Sequence, residues 1–400
     1  MPALLPTALP ELDDRSASSE RIYLDHHATT PLDPRVLERM MPFLTDRFGN
    51  AASQDHPWGW SASEAVERAR DTVARFLHAT AGEIVFTSGA TESTNLALLG
   101  MAREGGPRHH VITTAIEHAS VLGCVGRLQQ LGHGITTVPV DANGRVDPRE
   151  VQAAMRPETL LVSVQSASNE VGTVQPIREI GAACQERGIV FHVDASQAAA
   201  WIPLDVQADG IDLLSLSAHK MYGPKGVGAL FVRRRRPRIP LEAIACGGGQ
   251  EHGLRPGTVN VPGIVGFAEA CALVEQGRRD DALRVARLRD DLWRRISAVE
   301  PRARMNGHPR HRLPNNLHVT LPGYESEQVI RFLKGIALST GSACASGRRE
   351  PSHVLRAMGC DADAIHRSLR FGLGRRTTAE EIESTADRLA DALARLGRCA

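Results

Sequence analysis

Short, continuously apolar segments that alternate with helical ones constrain this chain more than any other feature. Most of these segments lack the apolar–polar alternation of half-exposed strands, which is typical of strands buried on both faces of a sheet. Helix-forming stretches such as Pro176–Arg187 separate several of them. The pattern predicts an α/β fold, a three-layer sandwich with a mainly parallel sheet. The predicted strands are Ile84–Thr87, His110–Thr113, Leu160–Val164, Ile189–Val193, Leu213–Leu216 and Gly228–Val232.

The pattern changes after about residue 265, where a long helix (Ile264–Ala298) is followed by two short strands and further helices. The strands are predicted at Asn316–Thr320 and Ile336–Thr340, and Thr378 with Glu381 forms a capping box for the last helix. We therefore expect a flexible tail (1–20) and a large domain (21–264) whose first residues pack with the small domain. A smaller α+β domain (265–400) carries Cys344.

Composition excludes several classes of function. The net charge is +1, so no overall field attracts nucleic acid or membrane, and no apolar run approaches membrane-spanning length. The tail lacks the basic and apolar regions of a signal peptide. The run Arg233–Arg238 is expected to be a solvated loop after an edge strand, with contact to an RNA or an acidic partner as the alternative. The seven cysteines form no CxxC pair, which predicts reduced thiols and a cytoplasmic location rather than disulfides or structural zinc.

Lysine is scarce in this chain, and only Lys220 follows a predicted buried strand. Lys225 lies in a turn, and Lys334 lies on an amphipathic helix where we expect it to face solvent. Asp194 ends another strand, and ligands of parallel sheets bind beyond the carboxyl ends of the strands. An amine and a carboxylate placed there indicate a pyridoxal phosphate (PLP) site, in which Asp194 pairs with the pyridinium nitrogen. Asp194 is equally suited to cap a helix formed by the residues after it.

Three further segments suit such a site. Ser88–Asn95 follows a strand and opens a helix, so its backbone N–H groups suit a phosphate, although a simple Ser/Thr helix cap has the same sequence. Gln197 is placed to contact the phenolic oxygen of the cofactor. His118 also follows a strand and is either a cap or a residue that stacks on the cofactor ring. Cys344 lies among small residues, where a thiol is either inert or a mobile nucleophile.

Adjacent histidines, His26 and His27, raise the question of a metal site. Neighbouring side chains on an extended segment point in opposite directions, and no nearby cysteine or carboxylate cluster completes a ligand set. The sequence therefore predicts no metal.

Motifs along nearly the whole chain together resemble the cysteine desulfurases, PLP-dependent enzymes of the class V aminotransferase family with PLP fold type I. The resemblance begins at Tyr23–Pro31 and ends at Ser368–Arg375. The motifs between these are Thr87–Ser93, Glu117–His118, Ser168–Gly172, His192–Gln197, Ser217–Gly226, Arg255–Thr258 and Ser342–Cys344.

The resemblance implies a role for each matching residue. Lys220, Cys344 and His118 are catalytic, with Lys220 bonded to the cofactor, Cys344 forming a persulfide and His118 stacking on the ring. Thr258 reaches the phosphate from a second subunit, and Asn169 and Arg370 orient the substrate carboxylate. The implied cofactor-binding set is Ala90, Thr91, His118, Asn169, Asp194, Gln197, Ser217, His219, Lys220 and Thr258.

Some positions depart from the commoner family pattern. His26–His27 replaces a less basic pair, Ser168 stands where a second asparagine is usual, Cys246 replaces a histidine, and Pro256 replaces a serine. None of these changes removes a catalytic group that the resemblance implies. They bear instead on fine adjustment of the substrate site and on the identity of the sulfur acceptor.

The implied activity converts L-cysteine to L-alanine and passes the sulfur to Cys344 and then to an acceptor. A selenocysteine lyase or aminotransferase on the same fold is the alternative, and a scaffold that only docks sulfur acceptors is a rival of another class. The expected partners are L-cysteine, a sulfur-acceptor or scaffold protein and a second copy of the chain, with no membrane or nucleic acid. Iron–sulfur cluster assembly, thiolated tRNA and other destinations of the sulfur stay open.

Overall fold

The structure, a computed structural model, describes residues 21–104, 109–235, 237–340 and 351–397. Cys344 therefore lies outside the described residues. The strands are β1 (Ile22–Tyr23), β2 (Ile84–Thr87), β3 (His110–Thr114), β4 (Gly134–Val138), β5 (Thr159–Gln165), β6 (Val190–Asp194), β7 (Leu213–Ser217), β8 (Gly228–Val232), β9 (Arg304–Asn306), β10 (Asn316–Thr320), β11 (Ile336–Ala337) and β12 (Ser368–Gly372).

Helices connect most of these strands. They are α1 (Pro34–Leu44), α2 (Pro57–Phe76), α3 (Ala90–Glu104), α4 (Ala119–Gln130), α5 (Pro148–Ala154), α6 (Ile177–Glu186), α7 (Val261–Val299), α8 (Ser326–Phe332), α9 (His353–Ala357), α10 (Ala362–His366) and α11 (Ala379–Leu396). None of the described helices is long and apolar enough to cross a membrane.

A seven-stranded sheet forms the centre of the molecule, in the order β2-β8-β7-β6-β5-β3-β4. Strand β8 runs antiparallel to both of its neighbours, and the other pairs are parallel. Two separate clusters of buried apolar side chains share the residues of β5. Leu161 belongs to one cluster, and Val162 and Val164 belong to the other. This division places apolar layers on both faces of the sheet, as the continuous apolar runs predicted.

A smaller group of strands lies beside this sheet. Strands β12, β10 and β9 form an antiparallel sheet, and β1 pairs with β11, with Ile22 opposite Ile336. The predicted capping box of α11 is confirmed, because Thr378 and Glu381 bond each other's backbone N–H groups. The boundary predicted between the large and the small domain, at residues 264 and 265, lies near the start of α7 and stays a proposal.

Several predictions about single elements were wrong. The predicted strand Ile336–Thr340 ends at Ala337, and neither β4 nor β12 was predicted. Strand β4 is half-exposed and rich in threonine, which weakens its apolar pattern. The run from Arg233 does not follow an edge strand, because β8 has a partner on each side. Arg233 and Arg235 instead approach the buried Asp212 carboxylate at 3.5 Å and 3.7 Å.

Candidate functional site

A cavity of about 480 Å³ lies at the carboxyl ends of the central strands. Four chain segments that leave the strands supply much of its wall: those after β2, β5, β6 and β7. The segment after β3 adds His118. The structure thus brings together most of the predicted cofactor-binding residues, namely Ala90, Thr91, His118, Asn169, Asp194, Gln197, Ser217, His219 and Lys220.

Lys220 ends a short 3-10 turn, Ala218–Lys220, directly after β7. Its Nζ donates hydrogen bonds to the backbone carbonyls of His27, at 2.5 Å, and Ala28, at 2.8 Å. The amine is therefore held at the cavity wall by neutral acceptors. Lys225, which the sequence places in a turn, also borders the cavity but is exposed, whereas Lys220 is half-buried.

Asp194 ends β6, and its side chain is buried at the cavity wall. Its Oδ1 accepts hydrogen bonds from the Ser196 backbone N–H, at 3.0 Å, and from the Ser196 hydroxyl, at 2.6 Å. The carboxylate thus makes the cap-type hydrogen bond that the sequence suggested. The residues after it form consecutive turns rather than a regular helix.

The start of α3 forms an anion cradle beside these two residues. Ser88, Gly89, Ala90 and Thr91 line the cavity, and α3 begins at Ala90. Close packing holds the cradle, since a Cβ added at Gly228 would lie 2.7 Å from the Gly89 Cα. Backbone N–H groups at a helix start, together with the helix dipole, favour a bound phosphate.

Glu92 also lies in this first turn. Burial opposes its ionisation, but hydrogen bonds from Ser88 and the ion pair with Arg255, at 3.0 Å, hold the pKa of its carboxyl below the usual value. The ionised carboxylate therefore holds Ser88 and Arg255 at the edge of the cradle.

His118 is the N-cap of α4, so its structural role and its place on the cavity wall coexist. Its Nδ1 accepts a hydrogen bond from the Ser120 backbone N–H at 3.2 Å. This bond requires a lone pair on Nδ1, so the neutral ring carries its proton on Nε2. His219 also lines the cavity, where burial and the charges of Lys220 and Lys225 lower its pKa to about 4. His219 is therefore a neutral ring at physiological pH.

Two buried carboxyls near the cavity were missed by sequence reasoning. Burial, with a smaller contribution from the nearby charge of Asp194, raises the pKa of Glu117 to about 8 against the hydrogen bonds from Thr114 and Gln165. Burial also raises the pKa of Glu170, against a hydrogen bond that it accepts from the Ser352 hydroxyl at 2.5 Å. Glu117 and Glu170 each follow a strand and belong to a motif noted in the sequence. Their burial, however, is visible only in the tertiary structure.

Arg370, predicted to bind the substrate carboxylate, does not line the cavity. Its side chain is fully buried, and it donates to the Asp25 carboxylate and to the Asn169 carbonyl, both at 2.8 Å. Its Nε is buried without a hydrogen-bond partner. Asn169 itself borders the cavity, and the Arg370 guanidinium contacts the backbone of Asn169 without lining the cavity.

The remaining predicted positions lie elsewhere. Thr258 is exposed and does not border the cavity. Ser168, a departure from the family pattern, is buried, and its hydroxyl accepts from the Glu170 and Val171 backbone N–H groups. It therefore caps a turn and does not border the cavity. Cys246 is exposed. Within the described ranges, no group of three metal-binding side chains is close enough to hold an ion.

Comparisons with known proteins show which family the chain belongs to. The family model described as aminotransferase class-V matches residues 22–385. Cysteine desulfurase IscS of Anaeromyxobacter dehalogenans is 51% identical over 363 residues, which cover 90% of each protein. A solved structure named NifS-like protein is 35% identical, with a TM-score of 0.87, and the match covers 94% of this chain and 99% of that one.

A second solved structure, SspA in complex with cysteine, is 36% identical, with a TM-score of 0.78 over 89% of this chain and 100% of its own. These relationships confirm the predicted fold class and activity. The chain therefore belongs to the class V aminotransferase family and, within it, to the PLP-dependent cysteine desulfurases.

Proposed function

We propose that the cavity binds PLP covalently at Lys220 and that the chain transfers sulfur from L-cysteine to Cys344. The observation that carries the proposal is the convergence of an amine, a buried carboxylate and an anion cradle on one cavity. Each matches one part of the cofactor: the aldehyde, the pyridinium nitrogen and the phosphate. Bound PLP supplies an electron sink for the carbon that bears the amino group.

The phosphate group is proposed to lie at the start of α3. Ala90 and Thr91 offer backbone N–H groups, and Ser217 offers a hydroxyl. A side chain in place of Gly228 would displace Gly89, so the close packing of these glycines supports this fit. Neutral His219 contributes a hydrogen bond rather than a charge.

Proton transfer is assigned to Lys220. When its amine is free, Lys220 is proposed to take the proton from the substrate Cα and to return a proton later. General acid–base help of this kind is worth about 10²–10⁴-fold in rate. His118, with its proton on Nε2, is proposed to stack on the ring and relay protons.

Asn169 and Arg370 are proposed to hold the substrate carboxylate. Arg370 donates to Asp25 and to the Asn169 carbonyl in this structure, so substrate binding requires its guanidinium to exchange one of these contacts. Bidentate pairing with a carboxylate is the interaction that a guanidinium makes best, which favours this exchange.

The sulfur transfer step is proposed to use the Cys344 thiolate as nucleophile. It attacks the sulfur of L-cysteine, so an S–S bond forms and the C–S bond breaks. The electron pair of that bond stays on the carbon skeleton, which is protonated and leaves as L-alanine. The persulfide then passes its outer sulfur to an acceptor or scaffold protein, with iron–sulfur cluster assembly as the first candidate destination.

A homodimer is proposed because Thr258 is exposed and does not border the cavity of its own chain. In a dimer, Thr258 is proposed to reach the phosphate of the partner's site. Large apolar side chains on and beside α1 and α2 are exposed, including Phe48 (70%), Trp58 (55%) and Trp60 (57%), and their burial in a second copy supports association. Sedimentation of the parent and of a Phe48→Glu variant tests this.

A cytoplasmic location also stays a proposal. Its support is that all five cysteines in the described part of the chain are free.

Mass spectrometry of the purified protein after addition of L-cysteine tests the proposed function. We expect one extra sulfur on Cys344, loss of sulfide release in Cys344→Ala, and parent behaviour in Cys246→Ala, which removes an exposed control thiol. Borohydride treatment should link the cofactor to Lys220. A Cys344→Ala protein that releases sulfide at the parent rate, or a label on Lys225, would contradict the proposal.

A further inference from the structure

His27 occupies a closely fitted position behind the cavity wall. Only 1% of its surface is exposed. A Cβ added at Gly372 would lie 2.9 Å from the His27 Cδ2, and one added at Gly172 would lie 2.6 Å from the Oδ1 of Asn316. The chain therefore uses two glycines to admit His27 and its partner Asn316.

The hydrogen bonds from Asn316 have one chemically permitted direction. The Arg312 guanidinium can only donate, and it donates to the Asn316 Oδ1 at 3.3 Å, which sets the orientation of that amide. Asn316 Nδ2 then donates to the Glu170 carbonyl, at 2.9 Å, and to His27 Nε2, at 3.0 Å. His27 Nε2 must therefore be the unprotonated nitrogen.

The proton of His27 consequently lies on Nδ1, which donates to Gln197 Oε1 at 2.9 Å. One N–H of Gln197 Nε2 donates to the His27 carbonyl at 3.1 Å. Burial, together with the charges of Arg370 and Lys220, lowers the pKa of His27 to about 3, so the ring stays neutral at physiological pH. The second N–H of Gln197 is left for a ligand in the cavity that Gln197 lines.

We propose that His27 is a positioning residue whose Nδ1–H tautomer fixes Gln197 as a hydrogen-bond donor to the phenolic oxygen of the cofactor. The inference rests on the proposed binding of PLP. Such a donor withdraws charge from the phenolic oxygen. That oxygen then stabilises the protonated form of the neighbouring nitrogen, which joins the cofactor to Lys220, less well. Loss of the donor should therefore raise the pH at which the visible absorption band of the bound cofactor changes.

Two variants of His27 separate this role from simple packing. The side-chain amide of asparagine reaches the position of Nδ1, whereas that of glutamine reaches the position of Nε2. His27→Asn thus keeps a donor toward Gln197, and His27→Gln loses it. The band of His27→Gln should change at a pH about 0.5 to 1 unit higher than that of the parent, as expected for one lost hydrogen bond, while His27→Asn stays close to the parent.

Three measurements complete the test. Gln197→Ala should shift the band in the same direction as His27→Gln, and the double variant should shift no further. His26→Asn removes the same volume from a neighbour, whereas the Gln197 side chain bonds to His27, so this variant should cause no shift. Nitrogen-15 NMR of the histidine-labelled parent, with the His27 signals assigned by their loss in His27→Asn, should show the proton on Nδ1.

Equal shifts in His27→Asn and His27→Gln, or a proton on Nε2, would overturn the inference while leaving the proposed function intact. A parent protein without any visible cofactor band would overturn the proposed function and this inference with it.

Discussion

Replacing Glu117 with glutamine should make the stability of this protein less dependent on pH. The Glu117 side chain is fully buried. Its Oε1 accepts from the Thr114 hydroxyl at 2.6 Å, and its Oε2 accepts from the Gln165 backbone N–H at 2.9 Å. Burial raises its pKa from 4.5 to about 8, so the folded protein holds a proton that the unfolded chain releases at neutral pH.

The sign of the effect follows from these two values. Because the folded pKa lies above the unfolded one, the contribution of Glu117 to stability is fully present below pH 4.5 and is lost as the pH rises toward 8. Each pH unit within this window costs about 1.4 kcal/mol. The parent should therefore lose about 2 to 3 kcal/mol of unfolding free energy through this group between about pH 5.5 and about pH 7.5.

Glutamine imitates the protonated carboxyl without titrating. Its carbonyl can accept from the Gln165 N–H, and its NH₂ group can donate to the Thr114 oxygen, so both hydrogen bonds survive. The difference in unfolding free energy between Glu117→Gln and the parent should therefore move by about 2 to 3 kcal/mol in favour of the variant between these pH values.

Urea unfolding of the cofactor-free proteins at both pH values measures this difference. Glu150→Gln, which changes an exposed glutamate on α5, is the matched control and should follow the parent at each pH. A Glu117→Gln difference that is the same at both pH values would show that Glu117 is ionised in the folded protein, and would refute the reasoning.

Two further predictions concern stability close to the site. Glu251 binds Arg70 through both carboxylate oxygens at 2.7 Å in a buried ion pair. Glu251→Gln should therefore lower the unfolding free energy in urea by about 3–5 kcal/mol. Glu64→Gln, which changes an exposed ion pair with Arg68, should lower it by about 0–1 kcal/mol. Equal losses would contradict this difference. Gly228→Ala should bind the cofactor more weakly and lose about 1–3 kcal/mol of unfolding free energy. Gly126 on α4 has open space around it, so Gly126→Ala should gain about 0.5–1 kcal/mol of unfolding free energy. A Gly228→Ala protein with parent stability and affinity would show that the cradle has room for a methyl group.

Predictions from sequence succeeded where the hydrophobic pattern of one segment was enough to define its secondary structure and burial. The apolar runs that end at Asp194 and near Lys220 predicted two buried parallel strands, and the carboxyl ends of such strands meet at one edge of a sheet. Strand β4 was missed because its threonines sit at a half-exposed edge, where burial does not impose apolar residues. Strand β12 was identified only as part of a motif.

The amino-acid sequence by itself determined the layered α/β architecture, the family and the convergence of an amine and a carboxylate, because local hydrophobic patterns and motifs carry that information. Only the tertiary structure decided the proton state of Glu117, the placement of Arg370 behind the cavity wall and the tautomer of His27. These properties depend on desolvation and on partners far away in the chain: His27 and Asn316 are 289 residues apart. A short window of sequence contains neither the low-dielectric surroundings nor the distant hydrogen-bond donor that sets each of them.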